Sequence, residues 1–339
     1  MGRCALLAIA VLGVFLAIWE IHWRSQGAHG SYRNSEGLWA IQRRRIDHGE
    51  GADWVFTGSS RTLSDLQLDV WQQESGQRPI QLALEGTSPL RVMEDLAKDS
   101  HFTGTLLVGV SPNLFFSGFE FRKDVLDRYP RETPAQWSGQ QISMWVEPYL
   151  AFYNFDFSLF TVLKRQPWPK RAGVQSRMDV RKLFNLDRDR NTRMWAKLET
   201  DVAYQDIAKQ VWMDGFVPIA ERKPEEIERT LRNRGKQIER AVAATKSLQS
   251  KGVEVIFVRH PSEGHYAVSE PMFYPREDTW DVLIEKTGAL GIHWQDHPEL
   301  QGFPLPEWSH MTAAAAYRYS HALYHVMKRE RQMRVADRL

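Results

Sequence analysis

The chain has 339 residues, 42% of them hydrophobic and 25% charged. That suits one large globular domain or two small ones and excludes a disordered or collagen-like chain. A net charge of +2 argues against a nucleic-acid binder, and the single cysteine, Cys4, excludes a disulfide framework, a CxxC redox site and a cysteine-based zinc site.

The first element is apolar. Cys4 to Trp19 reads CALLAIAVLGVFLAIW, without a charge. At 1.5 Å per residue it covers about 24 Å, short of the ~30 Å hydrocarbon core, and Ile21 and Trp23 extend it before Arg24 closes it. Ser25-Gln26-Gly27 is a poor cleavage site. An uncleaved signal anchor over residues 1–24 is therefore favoured over a cleaved signal peptide. The shortness of the leading segment favours the body lying outside. Residues 25–52 read as a spacer, helical from about Glu36 to His48. With the strand pattern starting at Asp53, removal of residues 1–23 is expected to leave the body folded.

From Asp53 the pattern is α/β. Asp53 to Thr57 is a buried-strand run ending at Gly58, and Leu63 to Glu74 suits a helix with Thr62 and Asp65 as a capping pair. Pro79 to Leu84 is a second strand, Pro89 to Ala97 a helix, and Thr105 to Val110 a third strand. Strands alternating with helices imply a parallel sheet covered on both faces. The alternation then stops, and residues 119–235 read as a mostly helical insertion. Pro224 to Lys251 is a long amphipathic helix stopped by Gly252. Val253 to Val258 is a fourth strand, Thr279 to Thr287 a helix, Gly291 to Trp294 a fifth strand and Thr312 to Lys328 a closing helix. The α/β body thus comprises residues 53–118 and 236–335.

In an open parallel sheet, function gathers where strands end and helices begin. The first such turn is Gly58-Ser59-Ser60-Arg61, where a serine after a glycine exposes its hydroxyl and turns its own N–H toward developing negative charge. Near the far end, Glu307-Trp308-Ser309-His310 places a carboxylate three residues before a histidine, the spacing that lets it hold the Nδ1 proton and free Nε2 as a base. Arg61, and Arg259 and His260 after the fourth strand, are candidates for substrate contact. His260 and His265 lack a third ligand for a metal site, and no cofactor is expected.

Together, the first-strand Gly-x-Ser, the second-strand glycine and the terminal acid-x-x-His resemble the SGNH (GDSL-like) hydrolase superfamily over about residues 53–117 and 253–329. The resemblance implies a flavodoxin-like α/β/α sandwich with a Ser-His-acid triad. It makes Ser60 the nucleophile, His310 the base and Glu307 its orienting acid, with oxyanion donors from the N–H groups of Ser60 and Gly86. Three departures stand out. The Asp after the first glycine is missing, Glu307 replaces the usual Asp, and Gly109-Val110-Ser111-Pro112-Asn113 replaces the family's Gly-x-Asn-Asp. Ser111 holds the register of the third oxyanion donor, but Asn113 carries the amide. Pro112 favours a turn that brings Asn113 back, so Asn113, not Ser111, is expected to face the pocket.

These departures, with the N-terminal anchor, resemble the membrane-anchored SGNH-like proteins of bacterial envelope acylation, such as the alginate O-acetyltransferase-like proteins and the D-alanyl transfer protein of teichoic acids. That branch implies a body on the periplasmic side of the inner membrane beside a membrane-bound O-acyltransferase. It also implies O-acyl transfer to, or ester hydrolysis on, an envelope or exported polysaccharide. Two alternatives stay open: a non-catalytic assembly or glycan-binding factor, and a lysophospholipase-like lipid esterase. The last draws on the insertion, where the aromatic stretch Phe152 to Phe160 precedes ten Lys/Arg against three Asp between Lys164 and Arg193. Such a segment can rest on an anionic membrane, line a glycan groove, or form a subdomain core beside a solvated basic face.

Overall fold

A computed structural model describes residues 2–164, 166, 182–214 and 223–336. Five of the ten basic residues of the insertion's basic run lie outside the described residues. The N-terminal apolar run forms α1 (Gly2–Ser25), a helix long and apolar enough to cross a membrane. Then come α2 (Glu36–Arg45), β1 (Trp54–Thr57), α3 (Ser60–Asp65), α4 (Leu68–Ser75), β2 (Ile80–Gln81), α5 (Leu90–Lys98), β3 (Thr105–Val110) and α6 (Pro112–Phe115). The middle of the chain holds α7 (Lys123–Arg128), α8 (Pro134–Val146), α9 (Leu159–Lys164), the hairpin β4 (Phe184–Leu186) and β5 (Thr192–Met194), α10 (Ala196–Thr200) and α11 (Val202–Met213). The chain returns to the body through α12 (Pro224–Ser250), β6 (Glu254–Arg259), α13 (Gly264–Phe273), α14 (Trp280–Thr287), β7 (Leu290–His293) and α15 (Ala313–Ala336).

The molecule is α/β. Five strands form one sheet in the order β2-β1-β3-β6-β7, and every pairing is parallel. Successive strand side chains point to opposite faces. Val55, Leu106, Val108, Val255 and Phe257 therefore enter one core with residues of α2, α5, α12 and α14, while Phe56, Leu107, Ile256 and Val258 enter the other with α4 and α15. Apolar residues on both faces explain why the strands read as continuous hydrophobic runs.

Three local readings differ from the structure. Residues 25–52 carry the expected helix as α2, but it belongs to the body and is no spacer: its Leu38 and Trp39 are fully buried. The Trp39 indole N–H donates to the Leu82 carbonyl at 3.0 Å, and Arg43 bonds Asp95 at 2.8 Å. The single helix expected over Leu63 to Glu74 is split, because Leu66 and Gln67 are extended. The freed N–H groups of Gln67 and Leu68 donate to Ser320 Oγ at 2.8 Å and Asn191 Oδ1 at 2.9 Å. Nor do Thr62 and Asp65 cap a helix. Thr62 Oγ1 lies 3.1 Å from His260 Nε2, and Asp65 Oδ1 accepts from the Met311 N–H at 3.0 Å.

The end of α1 is joined to the middle segment. Trp23 is buried in a cluster with Phe157, Val162, Trp195, Leu198 and Tyr204. The Trp19 indole N–H donates to the Phe157 carbonyl at 3.0 Å, and the Glu20 carboxylate accepts from the N–H groups of Ala151 and Phe152, each at 3.0 Å. Removing residues 1–23 would therefore take away part of a buried cluster, contrary to the expectation of a freely separable anchor.

Candidate functional site

The carboxyl ends of β1, β2 and β3 open into a cavity of about 740 Å³. β1 runs into Gly58, where a side chain is impossible because its Cβ would lie 2.1 Å from Thr62 Oγ1. Ser60 follows as the first residue of α3, half-buried and on the cavity wall. Gly86, after β2, lines the same cavity with φ of +58°, a conformation that favours glycine. Among the described residues no hydrogen bond engages the N–H of Ser60 or Gly86.

Ser111 and Asn113 follow β3 and both line the cavity, Ser111 contrary to expectation. Ser111 is buried, with its hydroxyl 2.6 Å from Ser59 Oγ. Asn113 is half-buried, at the second position of α6. Its side-chain amide makes no hydrogen bond among the described residues. Pro112 occupies the first turn of that helix, where its missing N–H costs nothing.

His310 lines the same cavity. Glu307 is fully buried behind it. Glu307 Oε1 accepts from the His310 backbone N–H at 2.6 Å and lies 2.8 Å from His310 Nδ1. Its Oε2 accepts from the Trp212 indole N–H at 2.6 Å. Both carboxylate oxygens are thus occupied, and one holds the histidine in the tautomer with the proton on Nδ1. His310 Nε2 is buried and has no hydrogen-bond partner, so Ser60 and His310 share the cavity without a bond between them. The Phe184 ring meets the His310 ring edge-on, 4.9 Å between centroids.

The loop carrying the pair is strained. Trp308 has φ of +73°, uncommon for a bulky side chain. Its backbone is held on both sides: its N–H donates to Leu305 at 2.9 Å, and its carbonyl accepts from Glu263 at 2.9 Å. Below the loop, Asp65 is fully buried; desolvation raises its carboxyl to about 6 despite the neighbouring His310 and the Met311 N–H.

The other candidates hold the walls together. Arg61 reaches the cavity but is buried, 2.8 Å from Glu270 and stacked over the Tyr266 ring. Arg259 is also paired with Glu270 and lies outside the cavity lining. Burial would raise the Glu270 carboxyl, but Arg259 and Arg61 outweigh it and hold it below its ordinary range. His260 does not line the cavity. Its two ring nitrogens meet Thr62 and Tyr319, each at 3.1 Å. Burial first, and then the charges of Arg61 and Arg259, push its imidazole down to about 3, so it is neutral.

Trp212 and Phe184 were not singled out in the sequence, and Asp65 only as a helix cap. Their roles depend on contacts across 95 to 246 residues, which no local spacing signals. Two groups among the described residues are spaced as cation ligands are: Glu74 with His321 and His325, and Asp47 with Asp99 and His101. Neither borders the cavity, and Glu74 already pairs with His321 at 2.6 Å and His325 at 3.3 Å.

Compared with known proteins, the chain matches no protein-family model and no curated relative.

Proposed function

We propose that the chain is a membrane-anchored serine acyl-transfer enzyme of the SGNH type. The observation that carries this reading is the buried Glu307–His310 pair, which leaves Nε2 without a partner in the cavity that also holds Ser60. The strand order, second-first-third-fourth-fifth along the sheet, agrees with a flavodoxin-like arrangement, whose sites lie at the carboxyl ends of the strands. The burial of Trp23 in the body supports an anchor that is kept, since a cleaved leader has no use for such contacts.

In this reading Ser60 Oγ attacks the donor's ester carbonyl while His310 Nε2 takes the hydroxyl proton. Glu307 fixes the tautomer and stabilises the imidazolium. The N–H groups of Ser60 and Gly86 receive the oxyanion, with the Asn113 amide as third donor. The tetrahedral intermediate expels the leaving alcohol, which takes the proton from His310. A second hydroxyl, deprotonated by His310, then attacks the acyl-serine and regenerates Ser60. A sugar hydroxyl as acceptor makes the enzyme an O-acyltransferase; water makes it an esterase. We favour transfer to an envelope or exported polysaccharide, on the periplasmic side of the bacterial inner membrane and beside a membrane-bound O-acyltransferase.

The test is covalent labelling with a fluorophosphonate probe. Ser60 should label, and Ser60→Ala should abolish labelling while changing stability by only about 1 kcal/mol. His310→Ala should slow labelling by about 10³ or more. A second reading, a glycan-binding assembly factor without chemistry, draws on the absence of a Ser60–His310 hydrogen bond. Wild-type protein that never labels but retains polysaccharide on a column would establish it.

A further inference from the structure

Resting on the anchored reading, we infer that the collar of the middle segment around the end of α1 is embedded in the membrane interface, which places the mouth of the cavity at the lipid surface. The argument begins with length. From Gly2 to Ile18 the helix is uncharged apart from Arg3, and it rises about 25 Å at 1.5 Å per residue. The hydrocarbon core is about 30 Å thick, so the outer boundary must reach the level of Trp19 to Trp23. Tilting the helix only shortens its reach.

That level is already occupied by protein. Trp19 is bonded to Phe157, Glu20 to Ala151 and Phe152, and Arg24 to the Tyr149 carbonyl at 2.8 Å. The bilayer cannot close around Trp19 to Trp23 without meeting the segment 149–157. The structure is built for such a meeting. Glu20, which would face the interface, has both carboxylate oxygens satisfied within the chain. Around the collar the exposed side chains are interfacial and apolar types: Trp145 is 85% exposed, Tyr149 72% and Phe160 83%. Trp and Tyr belong at the headgroup level, where one end is wet and the other apolar.

The collar is also part of the candidate site. Asn154, Phe155 and Asp156 line the cavity, between residues 151–152 and 157 that hold α1. One short turn thus touches the spanning helix on one side and the cavity on the other. A lipid-borne acyl donor, or an acyl group handed over within the membrane plane, would reach Ser60 without crossing free solvent.

The experiment uses the full chain with Cys4→Ser, which removes the only cysteine, reconstituted in vesicles of phosphatidylcholine and phosphatidylglycerol. Single cysteines are introduced as Trp145→Cys, Phe160→Cys, Ile9→Cys and Lys246→Cys. Each is labelled with an environment-sensitive fluorophore and challenged with lipids carrying nitroxide at the headgroup or deep in the acyl chain. All four positions are exposed, so none disturbs a core. Labels at 145 and 160 should be quenched several-fold more by headgroup nitroxide than the label at 246, and the label at 9 by deep nitroxide. Quenching at 9 with none above the 246 level at 145 and 160 would overturn the collar and leave the anchor standing. No quenching at 9 would overturn the anchored reading and the collar with it.

Discussion

Asn113 and Ser111 both line the cavity, but only one has a side chain free to act. The Ser111 hydroxyl is spent on Ser59, whereas the Asn113 amide has no partner among the described residues. Asn113→Ala should therefore cut the labelling rate by about 10² or more and Ser111→Ala by far less; stopped-flow labelling measures both. Behind the histidine, Trp212→Phe strips the donor from one oxygen of a fully buried carboxylate, which should cost about 1–3 kcal/mol in a denaturant melt. It should also slow labelling by loosening His310. The Glu307-x-x-His310 relation was legible in the sequence because it is local. Trp212 was not, because its indole arrives from another element. Arg259 and His260 were legible only as polar residues at a strand end; their burial, which ties them to Glu270, Thr62 and Tyr319, is a property of packing. The same burial makes stability depend on pH. His260 and His293 are each pushed down to about 3, chiefly by burial, so each contributes stability above the unfolded value near 6.5 that is lost as pH falls. Asp65, raised to about 6, contributes the opposite way: its stability is present at low pH and lost as pH rises through 6. Between pH 5 and 6 the wild-type native state holds a proton on Asp65 that falls from nearly full to half occupancy, and Asp65→Asn has none to lose. Its stability should then rise with pH more steeply, by about 1 kcal/mol per unit. Parallel slopes in urea melts across that range would remove Asp65 from the account.

At the scale of elements, the strands were legible because a buried parallel strand is a continuous apolar run, and Thr105–Val110 matches its expected bounds. The break between α3 and α4 was not. It exists because Ser320 and Asn191 take the N–H groups that a continuous helix would have bonded internally. The hairpin β4–β5 was hidden for a related reason, since three-residue strands carry too little periodicity to announce themselves. Helix α1 was legible as apolar but not as a structural member of the body. Two truncations separate these roles. Removal of residues 2–17 should leave the cluster around Trp23 intact. Removal of residues 2–24 should open it, because a lost buried Trp costs about 3–5 kcal/mol locally. Hydrogen exchange should then quicken at residues 151–157 and 194–208, while β3 and β6 keep their protection. Uniform exchange in both variants would mean that α1 contributes nothing beyond its span.

On the scale of the whole molecule, the sheet is closed by two distant pieces of chain, with β6 added beside β3 and β7 beyond it. Without the second piece, β3 has an open apolar edge and α12 and α15 no longer cover the faces. A fragment of residues 25–235 should therefore fail to fold, giving no near-ultraviolet circular dichroism signal, even though it contains Ser60 and three of the five strands. The distance between the pieces also sets an order in time. Ser60 and His310 are 250 residues apart in the chain. At about 5–20 residues per second, the ribosome makes the histidine some 10–50 s after the serine. During that interval the apolar helix has already emerged and can enter a membrane, while the Ser60 turn lacks the residues that complete its cavity. In the proposed reading, chemistry switches on only once the segment that carries His310 has been made and docked.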